Sequence, residues 1–395
     1  MGLFIPTDKI SNLRLYKYSS EDHSLISKYI LKRWWNYFVQ IFPYSMAPNL
    51  ITLLGLVWIL VDVMLVFYYD PYFNETSPTW IYFFYAFSLF MYQTFDGCDG
   101  CHARRTGQSG PLGELFDHSI DAINTTLGSL VFASVFKLGY GKLTMLGQFA
   151  SVCNFYASTW EEYHTHTLFL SKFSGPVEGI LMICCVYIIT GVFGPDIWTT
   201  KLFDLNLSAI GYDTYEVDLS FTYVVIGLSS LYFNIISTMK NVSKYYMKLN
   251  TGNPVRAKKQ IDNAYKGLAP FFIYYVVVIF VVWSYPEMLS VHAVPLMLSI
   301  GCTIAFSVGR MIIAHLTLQQ FPYTQFPMFV PIAQYIIIQV CLRVFGFEYD
   351  NVIFGISWAG LGITLAIHGM FVAEIIYEIT TYLDIYVLTI KHKKH

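Results

Sequence analysis

An all-α, polytopic integral membrane protein is the fold class this sequence predicts, and three observations carry it. Of its 395 residues 55% are hydrophobic and 13% charged, with a mean hydropathy of +0.49, whereas a soluble domain carries roughly 25% charged residues. Ten windows are long and apolar enough to cross a bilayer core, which takes about 20 residues per helix. Lys and Arg then fall into alternate loops, the bias that sets orientation. An ordinary soluble enzyme is thereby excluded. So is a nucleic-acid-binding surface, since 24 basic residues meet 26 acidic ones and no long run of like charge occurs.

Residues 1–45 read as a cytosolic N-terminal segment. They lack the short apolar stretch and small-residue cleavage site of a secretory signal, so the first span is expected to act as its own signal. Position 6 is Pro6 rather than the Ser or Thr of a myristoylation motif. Residues 24–42 place Ile26, Ile30, Trp34, Phe38 and Ile41 at helical spacing, with Lys28, Lys32, Arg33, Asn36 and Gln40 elsewhere on the wheel. That pattern predicts an amphipathic helix in the membrane interface, or a helix packed on the bundle and facing water.

About ten transmembrane helices are expected, near 50–68, 79–95, 119–136, 143–160, 177–193, 219–239, 268–284, 289–312, 327–345 and 351–376. Residues 46–240 read as the core that carries the chemistry and 241–267 as a basic cytosolic loop. Its polar stretch 250–267, with Gly and Pro, is expected to be a mobile loop. Residues 268–380 read as C-terminal membrane helices and 381–395 as a basic cytosolic tail. The cytosolic loops then hold Arg104, Arg105, Lys172, the cluster Lys240, Lys244, Lys248, Arg256, Lys258 and Lys259, and the tail Lys391, Lys393 and Lys394. Both termini are placed in the cytosol. The seven cysteines are odd in number and mostly inside apolar runs, so they read as small core residues rather than a disulfide framework.

The chemistry is expected between the second and third spans. Asp96 and Asp99 are three apart at the end of one helix, and Asp117 and Asp121 four apart at the start of the next, so each pair shares a helix face. Four such carboxylates packed together repel unless cations neutralise them, and all-oxygen ligands suit Mg²⁺, Mn²⁺ or Ca²⁺. Arg104 adds a donor fork suited to phosphate, while Gly100, Ala103 and Gly113 let two helices and a phosphate approach closely. Together they predict metal-assisted phosphoryl chemistry.

Residues 96–121 follow, without departure, the spacing Asp-x-x-Asp-Gly-x-x-Ala-Arg, eight residues, Gly, three, Asp, three, Asp. In this the chain resembles the CDP-alcohol phosphotransferase family. Ala47-Pro48-Asn49-Leu50-Ile51-Thr52, Gly110-Pro111-Leu112-Gly113-Glu114-Leu115-Phe116-Asp117-His118 and Ser158-Thr159-Trp160-Glu161-Glu162-Tyr163 resemble its eukaryotic, fungal-type choline/ethanolamine phosphotransferase branch. The likeness covers nearly the whole chain.

The resemblance implies transfer of phosphocholine or phosphoethanolamine from CDP-choline or CDP-ethanolamine to diacylglycerol, with release of CMP. It implies two divalent ions, Mg²⁺ or Mn²⁺, on Asp96, Asp99, Asp117 and Asp121, with Arg104 on a phosphate oxygen. The base is either His118 or Asp121. Asn49 and Thr52 are expected to face the nucleotide, or else to be a plain N-cap and a span-opening Thr. Trp160, Glu161, Glu162, Tyr163 and Glu178 are expected to cradle the amino-alcohol cation, or else to mark the interface belt. The resemblance also implies a homodimer. The Lys391-His392-Lys393-Lys394-His395 tail resembles a dilysine retrieval signal, which favours the endoplasmic reticulum, with the Golgi as a second location. Two other readings stay open: a transferase taking CDP-diacylglycerol and a soluble alcohol, and a cation transporter.

Some signals are discounted. Cys98-Asp99-Gly100-Cys101-His102 fits a haem-attachment pattern, but its intervening residues belong to the phosphotransferase signature. His164 and His166, two apart, are expected to face different ways on a helix. Asp62 inside the first span is read as a structural hydrogen-bonding group. Asn74 and Asn206 begin lumenal glycosylation sequons.

Overall fold

The computed structural model describes residues 2–16, 19–22, 24–170, 176–206 and 214–391. Lys172, Leu207, Ser208, Lys393 and Lys394, which figure in the loop charges, the second sequon and the dilysine signal, lie outside the described residues. Nine of the ten predicted windows are each essentially one helical stretch, and the eighth is broken at Val291–His292. After a short helix α1 (Lys32–Phe38) come α2 (Pro48–Tyr69), α3 (Thr79–Thr106), α4 (Pro111–Val135), α5 (Lys142–Thr165) and α6 (Pro176–Phe193). Next are α7 (Leu219–Leu249), α8 (Pro254–Tyr265), α9 (Ala269–Ser284), the single turn α10 (Glu287–Ser290), α11 (Ala293–Leu316), α12 (Val330–Arg343) and α13 (Tyr349–Leu383).

Six helical stretches among the described residues are long and apolar enough to cross a membrane: α2, α7, α8 with α9, α11, α12 with the turn before it, and α13. Helices α3, α4 and α5 are as long but carry acids and histidines at one end, where they run past the apolar windows. Strands are few. β1 (Ser20–Asp22) pairs in parallel with β2 (Leu168–Leu170), and β3 (Lys201–Leu205) pairs with β4 (Tyr215–Asp218) as an antiparallel ribbon between α6 and α7.

Local chemistry explains the boundaries. Pro48, Pro111 and Pro254 open their helices at positions where no backbone donor is needed. Gly107, in left-handed conformation (φ 67°), closes α3. The Asp218 side chain accepts from Phe221 N at the start of α7. The stretch 250–267 is not the mobile loop expected. Asn253 accepts from Arg256 N, Pro254 follows at N1, and the buried face Ala257, Ile261 and Ala264 seats α8 on the bundle. There Asn-Pro is a helix start rather than a loop signal.

The residues expected to form an interfacial helix are helical from Ser27 to Ile41, with a π-turn before α1 and a 3₁₀ turn after it. Ser27, Leu31 and Val39 are buried, Trp34 and Phe38 meet Phe90 and Phe95 of α3, and Ile30, Tyr37 and Ile41 stay exposed. Thus the expected apolar stripe divides between the bundle and the surface.

At the centre runs α11, 83% of whose most apolar window is buried, packed on α4, α5 and α13. Small residues make this close approach possible. A Cβ on Gly301 would lie 2.5 Å from Thr126 Oγ1, and one on Gly309 would lie 2.6 Å from the Phe371 ring. A second core of Ile59, Val66, Tyr85, Leu130, Phe136 and Tyr187 joins α2, α3, α4 and α6. Asp62 is buried there, as a carboxyl in mid-span must be. This packing fixes the ends of α2, α3, α4 and α5 at one level.

Candidate active site

The turn Gly107–Gly110 brings the last turns of α3 against the first turns of α4. Carboxylate oxygens of Asp96, Asp117 and Asp121 lie within 4.8 Å of one another, a group able to hold a metal ion. Asp99, one turn beyond Asp96, stands beside this trio and accepts a hydrogen bond from the Thr52 hydroxyl of α2. Asp121 accepts one from the Tyr92 hydroxyl. Asp117 Oδ1 is buried with no hydrogen-bond partner. An unpartnered buried carboxylate oxygen is costly, and hard oxygen donors gathered without a cationic side chain among them fit a divalent cation.

The two adjacent arginines are used differently. Arg105 donates to Val39 O (2.7 Å) and Phe42 O (2.6 Å) and lies 4.0 Å over the Tyr44 ring, so it clamps the N-terminal helix onto α3. Arg104 is exposed and donates to Cys101 Sγ at 3.3 Å. It faces a cavity of about 630 Å³ shared with Asn36, Gln40 and Tyr44. A Cβ on Gly100 would meet only Arg104 Nη1, at 3.5 Å, and one on Gly113 only Asn49 Oδ1, at 3.9 Å. Both glycines, like half-buried Ala103, therefore border open space. Asn49 is not an N-cap, a place taken by Ala47. Its Nδ2 donates to Val387 O (3.2 Å) of the C-terminal segment, which also bridges Met46 through Thr389.

His118, on α4 between Asp117 and Asp121, has its Nδ1 3.5 Å from Glu162 Oε2 of α5. The five head-group candidates reach five different neighbours. Trp160 is fully buried and donates to Ala264 O (2.9 Å), Glu161 accepts from Asn241 Nδ2 (2.7 Å), and Glu162 faces His118. Tyr163 donates to Gln319 O (2.8 Å), and Glu178 accepts from Ser24 while its other oxygen stays buried and unpartnered. His164 and His166 part as expected, toward Tyr246 and His315 respectively.

Sequence reasoning missed the His118–Glu162 pairing, which joins two helices distant in the chain. It also missed Tyr92, although four-residue spacing from Asp96 put both on one face of α3. Gly97 was overlooked too: a Cβ there would lie 2.2 Å from the Trp35 indole, so this glycine seats the N-terminal helix.

Comparison with known proteins agrees with the geometry. A family model described as CDP-alcohol phosphatidyltransferase matches residues 45–203. The chain is 50% identical to choline/ethanolaminephosphotransferase 1 of Saccharomyces cerevisiae, over 395 residues and all of both chains. It is 48% identical to cholinephosphotransferase 1 of the same yeast, again over all of both chains. Choline/ethanolaminephosphotransferase 2 of Arabidopsis thaliana is 32% identical over 99% of each.

Proposed function

The chain belongs to the CDP-alcohol phosphatidyltransferase family, and from that premise we propose that it is a multi-pass membrane transferase of the choline/ethanolamine type. It transfers phosphocholine or phosphoethanolamine from CDP-choline or CDP-ethanolamine to diacylglycerol, giving phosphatidylcholine or phosphatidylethanolamine and CMP. The observation that supports this most is the aspartate trio at the family spacing, with oxygens within 4.8 Å.

Asp96, Asp117 and Asp121, with Asp99 beside them, would hold two divalent cations, Mg²⁺ or Mn²⁺. When bound, such ions neutralise the diphosphate and stabilise the departing CMP. Arg104, exposed four residues beyond Gly100 on α3, binds a phosphate oxygen. Asn49, Thr52, Gly100, Ala103 and Gly113 border the CDP moiety, and Asn49 exchanges Val387 O for it. The diacylglycerol hydroxyl oxygen attacks the phosphorus that carries the amino alcohol. The new P–O bond forms as the P–O bond to CMP breaks, and CMP leaves with the bridging oxygen.

The hydroxyl proton passes to His118. With Nδ1 turned to Glu162, the other ring nitrogen is left for the hydroxyl, and the carboxylate stabilises the imidazolium that forms. Asp121, tied to the Tyr92 hydroxyl and sharing the trio, is the weaker base. Trp160 and Tyr163 act by holding α5 in place, and Glu161, Glu162 and Glu178 supply the negative charge near which the amino-alcohol cation binds.

Membrane core, basic 241–267 segment, C-terminal helices and tail are read as the four parts that follow the cytosolic N-terminal segment. The site and both termini face the cytosol, in the endoplasmic reticulum membrane with the Golgi as a second location, and the family likeness supports a homodimer. The test is transfer of label from CDP-choline and, separately, CDP-ethanolamine to diacylglycerol by the purified protein, with Mg²⁺, Mn²⁺ or EDTA. Metal-dependent product supports the reading, and the ratio of the two rates names the donor. No product from either donor sinks it.

A further inference from the structure

The end of α7 and the whole of α8 form a helical hairpin that the transfer reaction leaves unused. Asn250 Nδ2 donates to Gln260 Oε1 (2.6 Å) across the turn, and the Tyr265 and Ser243 hydroxyls meet at 2.6 Å. The hairpin is also tied to the bundle. Trp160 Nε1 donates to Ala264 O and the Tyr156 hydroxyl to Gly267 O, each at 2.9 Å. Asn241 donates to Glu161, beside the residue that faces His118. These bonds set the hairpin at the level of the aspartate site, where α7 and α9 leave the apolar region.

Its outer surface is basic. Lys240, Lys244 and Lys248, four apart, share one stripe of α7, and Arg256, Lys258 and Lys259 are exposed on α8. Between residues 240 and 268 the single acid is Asp262. Among the described residues none of these six cations has an ion-pair partner. Large apolar side chains stand exposed among them: Met247, Leu249 and Val255. Orientation by positive charge explains lysines in a cytosolic loop, but it requires no apolar side chain beside them. Cations interleaved with exposed apolar groups at the level of the interface match a lipid surface, head group outside and acyl boundary inside.

We propose that this hairpin binds anionic phospholipid of the leaflet on the active-site side. Lys244, Lys248, Lys258 and Lys259 hold the anionic head group, and Met247 and Val255 enter the acyl boundary. The site is distinct from the one that takes the nucleotide and the acceptor lipid. Through Asn241 and Trp160 its occupancy bears on α5.

Direct retention of lipid is the decisive measurement. The full-length protein, reconstituted in phosphatidylcholine vesicles with about 30 mol% phosphatidylserine, is extracted in mild detergent and its bound lipids are counted by native mass spectrometry. Wild type keeps phosphatidylserine in preference to phosphatidylcholine. The variant K244Q/K248Q/K258Q/K259Q keeps less, by about fivefold for each lysine removed. Equal retention by the two overturns the site and leaves the patch to an acidic soluble partner.

A second arm rests on the transferase reading. Wild-type turnover rises when phosphatidylserine is added to neutral vesicles, whereas the variant matches wild type in neutral vesicles and stays flat. A rise of the same size in the variant overturns the proposal. If the quadruple variant is poorly folded, K258E/K259E, confined to α8, replaces it in both arms. Lipid preference without turnover would sink the transferase reading alone, and turnover without lipid preference would sink the hairpin site alone.

Discussion

Two sets of helix ends on the same side of the bundle are built by opposite rules. Where α5 meets the end of α8 and the turn after it, the indole of Trp160 and the hydroxyl of Tyr156 each have a backbone partner at 2.9 Å, and Gly267 lets the backbone rest on the indole. Where α3 meets α4, Asp117 Oδ1 is buried without a partner, Arg104 is exposed, and two glycines border open space. A satisfied junction is stable by itself, but a gathering of unpaired carboxylates is not. The first is therefore structure, and the second is a group of acids able to hold a metal ion.

The largest effect that tests this contrast is expected from Asp117→Asn. Losing one of three carboxylates that share a 4.8 Å space removes several kcal/mol of charge stabilisation, or about a thousandfold in turnover at 1.36 kcal/mol per decade. Burial and the neighbouring acids already push the Asp117 carboxyl well above the usual carboxylate range, so in EDTA the neutral amide should melt no lower than wild type. Turnover like wild type, or a lower melting temperature in EDTA, would contradict the view that these acids await a cation.

Next in size is His118→Ala. Removing a general base costs about 10²–10⁴ in rate, with KM for the CDP-alcohol little changed. Glu162→Gln, which keeps the shape beside His118 Nδ1 but not the charge, should lose about tenfold to a hundredfold, as loss of an orienting partner does. If Glu162→Gln instead raises KM for CDP-choline with kcat intact, Glu162 acts on the cationic head group alone, and of its two proposed roles the one on the imidazole falls.

How far the sequence revealed the contrast depends on range along the chain. The ten spans are local signals, and nine became one helical stretch each; the α3–α4 site is nearly local, its acids lying within one helical hairpin. The α5–α8 junction was misread because its partners are far apart in sequence. Trp160 looked like an interface or head-group aromatic until Ala264 O appeared against its N–H. The stretch around Asn253 and Pro254 looked like a loop because a helix of 12 residues leaves too short a periodicity to outweigh Gly252 and Pro254. Helix α8 becomes visible only through the buried face it presents to α7.

A smaller effect, on stability rather than chemistry, is expected from Gly267→Ala. The added Cβ would lie 2.8 Å from Trp160 Nε1 and 3.1 Å from the Phe321 ring. Both groups belong to a packed core, so the change should cost about 1–3 kcal/mol, read as a lowered melting temperature with kcat per folded molecule unchanged. A normal melting temperature would show that this junction is looser than its contacts imply.

An effect of the same size on stability, and the smallest on turnover, with the sharpest separation of the two regions, is expected from Trp160→Phe. The phenyl ring keeps most of the buried aromatic volume but cannot donate to Ala264 O, leaving a buried carbonyl unpaired at a cost of about 1–3 kcal/mol. If Trp160 is structure, the melting temperature falls while KM for CDP-choline and CDP-ethanolamine stays within about twofold, a shift below 0.5 kcal/mol. If Trp160 instead offers its face to the head group, loss of the better cation–π ring should raise KM for both donors with stability intact. The indole is fully buried and its N–H is already bonded, so a cation could reach its face only by parting α5 from α8, and that places the expected loss in stability.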